Sequence, residues 1–79
     1  MIYDRAYRSA TVCTAVTGSM TMALKAQRAL ARDAIRANTV KISRSQSGCV
    51  YGVEFECVLM GKVKETLDSI GVEVREFLR

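Results

Sequence analysis

The sequence predicts a single α+β domain with four strands and two helices in the order β-α-β-β-α-β. Short β-branched or alternating stretches recur at 10–17, 39–43, 50–57 and 72–79. Two longer stretches with helical spacing of apolar residues, 18–37 and 58–70, separate them. The whole chain has 79 residues, enough for one domain and one small core.

The first stretch, "ATVCTAVT" (10–17), is short and β-branched and is followed by Gly18, and its two faces are both fairly apolar, which suits a central strand. "GSMTMALKAQRALARDAIRA" (18–37) reads as a helix. Ser19 is a good N-cap, because its hydroxyl can accept from a first-turn amide. Met20, Ala23, Leu24, Leu30, Ala31 and Ala34 supply the packing stripe, and Asn38 is placed to close the helix or the turn after it.

"TVKIS" (39–43) alternates, and the expected inner residues are Val40 and Ile42. "RSQSG" (44–48) is loop by composition. "VYGVEFEC" (50–57) alternates most clearly. Tyr51, Val53, Phe55 and Cys57 share one face; Gly52, Glu54 and Glu56 share the other, which is the pattern of a sheet covered on one side only.

In the second helix, Leu59, Val63, Leu67 and Ile70 form the stripe, and Gly71 ends it. "VEVREFLR" (72–79) closes as a strand with Val72 and Val74 inward. This order is the split-βαβ, ferredoxin-like pattern. Right-handed crossovers put the third strand between the first and second. The expected sheet is antiparallel, of order 4-1-3-2, with both helices on one face. Residues 1–9 precede the domain as an N-terminal extension, and 10–79 form it. The fold hosts many unrelated activities, so function must be read from particular residues.

The apolar share of 49% and charged share of 25% are those of an ordinary globular chain, which excludes disorder. No apolar run nears the roughly 18–20 residues that span a bilayer. The start carries charges on both sides of Tyr7 and no hydrophobic stretch, unlike a secretory signal. The expectation is a soluble, cytoplasmic protein with no membrane partner. At this size a homo-oligomer or a partner protein would add stability.

There is no histidine, so Ser-His and Cys-His catalysis are excluded. The three cysteines, at 13, 49 and 57, form neither a disulfide framework nor a CxxC pair. A zinc site would need carboxylates or a second subunit, and no metal or other cofactor is implied. These absences point to a carrier or binding protein rather than a stand-alone enzyme.

The net charge of +4 is uneven: residues 1–44 carry +6 and residues 45–79 carry −2. Lys25, Arg28, Arg32 and Arg36 follow helical spacing, with Lys41 and Arg44 beyond them. Such a stripe is most often a solvated face, but it also attracts acidic partners. Nucleic acid is disfavoured. The first strand offers no ring for base stacking, and Glu54 and Glu56 occupy the face where RNA would lie.

The inferred topology arranges the cysteines. Antiparallel neighbours set Cys13 beside Cys57, where both read as small buried hydrophobes. At the other end, Cys49 falls near Thr17, Gly18 and Ser19. There the free amides and dipole of the first helix would favour a thiolate or bind a small anion. Arg44 would add charge if the loop folds back, and Gly48 leaves access to the sulfur. Tyr51 reads as core packing, with its hydroxyl at the rim as the sharper alternative. Gly52, on the open face, would admit another backbone or a ligand.

The residues also carry a resemblance. "SMTMALKAQRAL" (19–30), the second strand, the polar loop, "GCVYG" (48–52) and "VEF" (53–55) resemble the selenium/sulfur (Se/S) carrier protein-like family of small bacterial domains. The similarity spans roughly residues 11–77. Many members have Cys-Gly where this chain has Gly48-Cys49, and members commonly carry a loop proline that this chain lacks. The resemblance implies that Cys49 is the carrier residue, accepting sulfur or selenium from a donor protein and passing it to an acceptor. Gly18, Ser19, Arg44, Gly48 and Tyr51 would form its surroundings. The alternative is a non-catalytic interaction or regulatory module, self-associating or docking a partner, in which Cys49 is incidental.

Overall fold

A computed structural model of the protein describes residues 12–44 and 48–78, with backbone alone at 43, 44, 48 and 49. The expected extension 1–9 and the loop residues 45–47 lie outside the described residues. The strands are β1 (Val12–Gly18), β2 (Asn38–Arg44), β3 (Gly48–Glu56) and β4 (Glu76–Leu78). Helix α1 spans Met20–Arg32, and a 3-10 turn, Cys57–Leu59, leads into α2, Met60–Ser69. The strands form one antiparallel sheet of order β2-β3-β1-β4, the expected order read from the other edge. No helix among the described residues is long and apolar enough to cross a membrane.

One apolar cluster joins both helices to one side of the sheet. Cys13 and Ala15 of β1 and Val53 and Phe55 of β3 meet Ala23, Ala26 and Leu30 of α1 and Val63 and Leu67 of α2. Alanines at the contact let α1 come close to the strands, and none of Ala23, Ala26 or Leu30 is solvent-exposed. On β4, Phe77 meets Phe55 edge-to-face at 6.5 Å, and the Lys64 ammonium lies 5.2 Å from the Phe77 ring centre.

Both helices end in the same way. Ile35 N–H donates to the Leu30 carbonyl at 2.8 Å, and Val72 N–H to that of Leu67 at 3.0 Å. Each is a Schellman closure whose pivot is left-handed: Ala34 at φ +62° and Gly71 at φ +76°. The residue after each pivot, Ile35 or Val72, then drops into the core. Gly71 therefore acts as expected, whereas α1 stops at Arg32 and not near Asn38. The shortening removes Ala34 from the helix, and within α1 the expected stripe residues Met20, Leu24 and Ala31 are exposed because they lie off the face that packs on the sheet. The buried side is Ala23, Ala26, Ala29 and Leu30. Arg36 also falls beyond the helix.

Three other expectations are corrected. Val40 pairs with Gly52 and Ile42 with Val50, so these β2 residues share the face turned away from the helices. Thr39 takes the helix side, where its hydroxyl donates to the Gln27 side-chain oxygen. Residues 72–75 do not pair as strand, although Val72 is buried and Val74 packs on the core as expected. Finally, Cys13 and Cys57 are joined in a disulfide, with their Cα atoms 5.0 Å apart. Their proximity follows the antiparallel register, but they are not two separate buried thiols: Cys13 is buried and Cys57 half-buried.

Candidate functional site

The site expected around Cys49 lies at the end of the sheet where β1 hands over to α1. Its geometry starts from a bulge. Val16 pairs with Gly52, but Gly18 pairs with Tyr51, so Thr17 is the extra residue. The buried Thr17 hydroxyl donates to the Tyr51 carbonyl at 3.1 Å, which ties the bulge to β3. The bulge turns the chain at Gly18, where φ is +102°.

Ser19 then caps α1 as the sequence suggests. Its Oγ accepts from Met22 N–H at 3.2 Å, and its carbonyl accepts from Ala23 N–H at 3.1 Å. The Met20 and Thr21 amides have no acceptor within the helix. No acidic residue stands in the first turn to offset their field.

The cation beside this helix start is Arg75, a residue that sequence reading did not connect with it. Arg75 N–H donates to the Val16 carbonyl at 2.7 Å, anchoring the approach to β4 against β1. Its guanidinium then lies over Gly18, 3.0–3.2 Å from the point a Cβ would occupy. Gly18 is therefore required by its backbone angle, and its missing side chain lets the guanidinium settle close over the turn. No local pattern announces the contact, because it comes from the pairing of the first and last strands.

Cys49 is the second residue of β3, its backbone opposite Ser43 of β2. It sits one residue inside the start of β3, so the paired ladder reaches back over the expected loop–strand junction. The last β1–β3 pair is Gly18 with Tyr51, so Cys49 is two residues further along β3, at the end of the sheet where α1 begins. Arg44 and Gly48 face each other across the last pair of the β2–β3 ladder.

Tyr51 is half-buried and packs against the core cluster, the bland reading of its place. Gly52 admits a close backbone, and that backbone is β1. A Cβ there would stand under 3.0 Å from the Ala15 carbonyl oxygen. The room expected for a ligand at Gly52 is thus filled by the fold itself. Among the six predicted residues, the described geometry joins Gly18, Ser19 and Tyr51 directly through the bulge, while Arg44, Gly48 and Cys49 follow along β2 and β3.

Compared with known proteins, the chain matches no family model, no curated protein and no solved structure.

Proposed function

We propose that the chain is a small ferredoxin-like carrier protein in which the Cys49 thiolate takes sulfur or selenium from one protein and delivers it to another. The observation that carries this reading is the division of labour among the three cysteines. Cys13 and Cys57 lie side by side at one end of the sheet, where each has the other as its partner, and Cys49 occupies the other end. That end also holds the capped start of α1 and the Arg75 guanidinium, which add positive potential. The ferredoxin-like assignment belongs to the same proposal and is supported by the element order and the single core that both helices share.

The step itself is a thiol exchange. The Cys49 thiolate attacks the outer sulfur of a donor persulfide, a new S–S bond forms on Cys49, and the donor's S–S bond breaks. The donor cysteine leaves as a thiolate, and one sulfane sulfur has moved without net oxidation. A selenium donor follows the same course, with an outer selenium atom transferred. Delivery is the reverse exchange with the acceptor's thiolate.

A cytoplasmic location is part of this reading, and the cysteine pair gives it a chemical condition. In a reducing compartment Cys13 and Cys57 stand as neighbouring thiols; in an oxidising one they form the bond seen here.

The test uses the unreduced protein, where a maleimide can report on Cys49 with Cys13 and Cys57 blocked by their own bond. Cys49 is expected to alkylate faster than free cysteine at neutral pH and to gain one sulfur in mass from glutathione persulfide. Cys49→Ser should lose both. Alkylation no faster than free cysteine, or no mass gain, would sink the carrier reading.

A further inference from the structure

We infer that the groove between the outer face of α1 and the C-terminal end of α2 docks an acidic amphipathic helix of a partner protein. The groove is a half-open depression of about 430 Å³. Leu24, Ala29 and Ile70 provide its apolar lining, and Lys25, Arg28 and Arg32 its charge. Leu24 remains 42% exposed, and the neighbouring Met20 49%. A merely solvated helix face needs neither the groove nor the exposed apolar side chains.

The charge pattern selects the occupant. Lys25, Arg28 and Arg32 step by three and four residues, so they line one side of the groove for about 10 Å. Among the described residues no ion pair engages any of the three. Asp33, the acid next to Arg32, is instead held by the Thr66 hydroxyl at 2.6 Å. A helix with glutamates at matching intervals would meet these cations and lay its own apolar stripe on Leu24 and Ile70. This is the helix-in-groove mode of recognition with complementary charge.

Other occupants fit less well. A phosphate backbone would satisfy the cations but leave the apolar lining in water, and among the described residues no aromatic ring lines the groove for base stacking. Among the described residues a second copy of this chain offers no suitable helix: the exposed side of α2 mixes Lys62 and Lys64 with Glu65 and Asp68. The inference does not depend on Cys49.

The probe is a fluorescent peptide of roughly 16 residues, long enough to form a helix, with a leucine stripe flanked by glutamates. It is titrated against the full chain by anisotropy and by amide chemical shifts. The expected result is saturable binding that weakens with salt, with shifts at Leu24, Arg28 and Ile70. Arg28→Glu should weaken binding at least about tenfold, and a peptide with lysine at the facing glutamate should recover part of that loss. Leu24→Ser should also weaken it, while Cys49→Ser should bind as well as the parent chain. A retained amide spectrum establishes that each variant is folded. The inference is overturned if a glutamine-for-glutamate peptide binds equally well, or if the shifts fall elsewhere. It is also overturned if a thymidine oligonucleotide or phosphatidylglycerol vesicles bind more tightly than the peptide.

Discussion

At Gly52 the sheet has no room for a methyl group. A Cβ would run into the Ala15 carbonyl and crowd the Val16 Cα, both of them backbone atoms of the adjacent strand. Neither can swing aside as a flexible side chain could. Gly52→Ala therefore has to move β1 away from β3 or distort the bulge at Thr17. The expected cost is about 2–3 kcal/mol of unfolding free energy, in the range of an overpacked core. Urea unfolding followed by circular dichroism measures it. A loss under about 0.5 kcal/mol, the size of an ordinary surface change, would show that the strand spacing does not depend on this glycine. Gly18 differs in kind. There the side-chain neighbour, Arg75, can retreat, but the positive φ cannot be met cheaply by another residue.

At the scale of elements, the two helix ends make a controlled comparison. They share the Schellman hydrogen bonds and the buried residue after the pivot, and they differ in the pivot itself. Gly71 adopts the left-handed angle freely, whereas Ala34 pays a steric cost of about 1 kcal/mol. Burial of Ile35 offsets that cost, because the tight turn is what brings Ile35 under α1. Ala34→Gly should therefore raise stability by about 1 kcal/mol, less the extra entropy that glycine gives the unfolded chain. A higher urea midpoint is the expected reading, and a lower one would count against the left-handed pivot.

For the whole molecule, the Cys13–Cys57 bond, where it is closed, is a covalent constraint that spans more than half of the chain. A chain of this length buries only about 60% of the surface its unfolded form exposes. The bond closes a loop of 44 residues, which in the loop-entropy model contributes about 4 kcal/mol by restricting the unfolded chain. It joins β1 to the turn that leads into α2, so it holds both central strands and the second helix at one end of the sheet. Unfolding in urea with and without a phosphine reductant should show a markedly lower midpoint after reduction. Coincident curves, with mass spectrometry establishing that the bond had opened, would remove it from the account of stability. The same reduction leaves the α1–α2 groove and the Cys49 end intact in covalent structure, so the three features can be tested separately.

Much of the fold was legible in the sequence because its signals are local. Alternation marked β3 and its covered face, since Val53 and Phe55 are indeed in the core. Ser19 and Gly71 marked a helix start and a helix stop through side-chain and backbone chemistry that acts within a few residues. Antiparallel pairing then brought Cys13 to Cys57 and set Cys49 at the end where α1 begins. What the sequence left open was decided by partners distant along the chain. Alternation separates Val40 and Ile42 from Thr39 and Lys41, but only register against β3 says which pair faces the helices. Arg75 reaches Gly18 because β4 lies beside β1, and Gly52 is a glycine because Ala15 crosses it closely. Local periodicity therefore determined which elements form and in what order. The packing of one element against another, which no short window of sequence contains, decided which faces are covered and which charges gather at the end of the sheet.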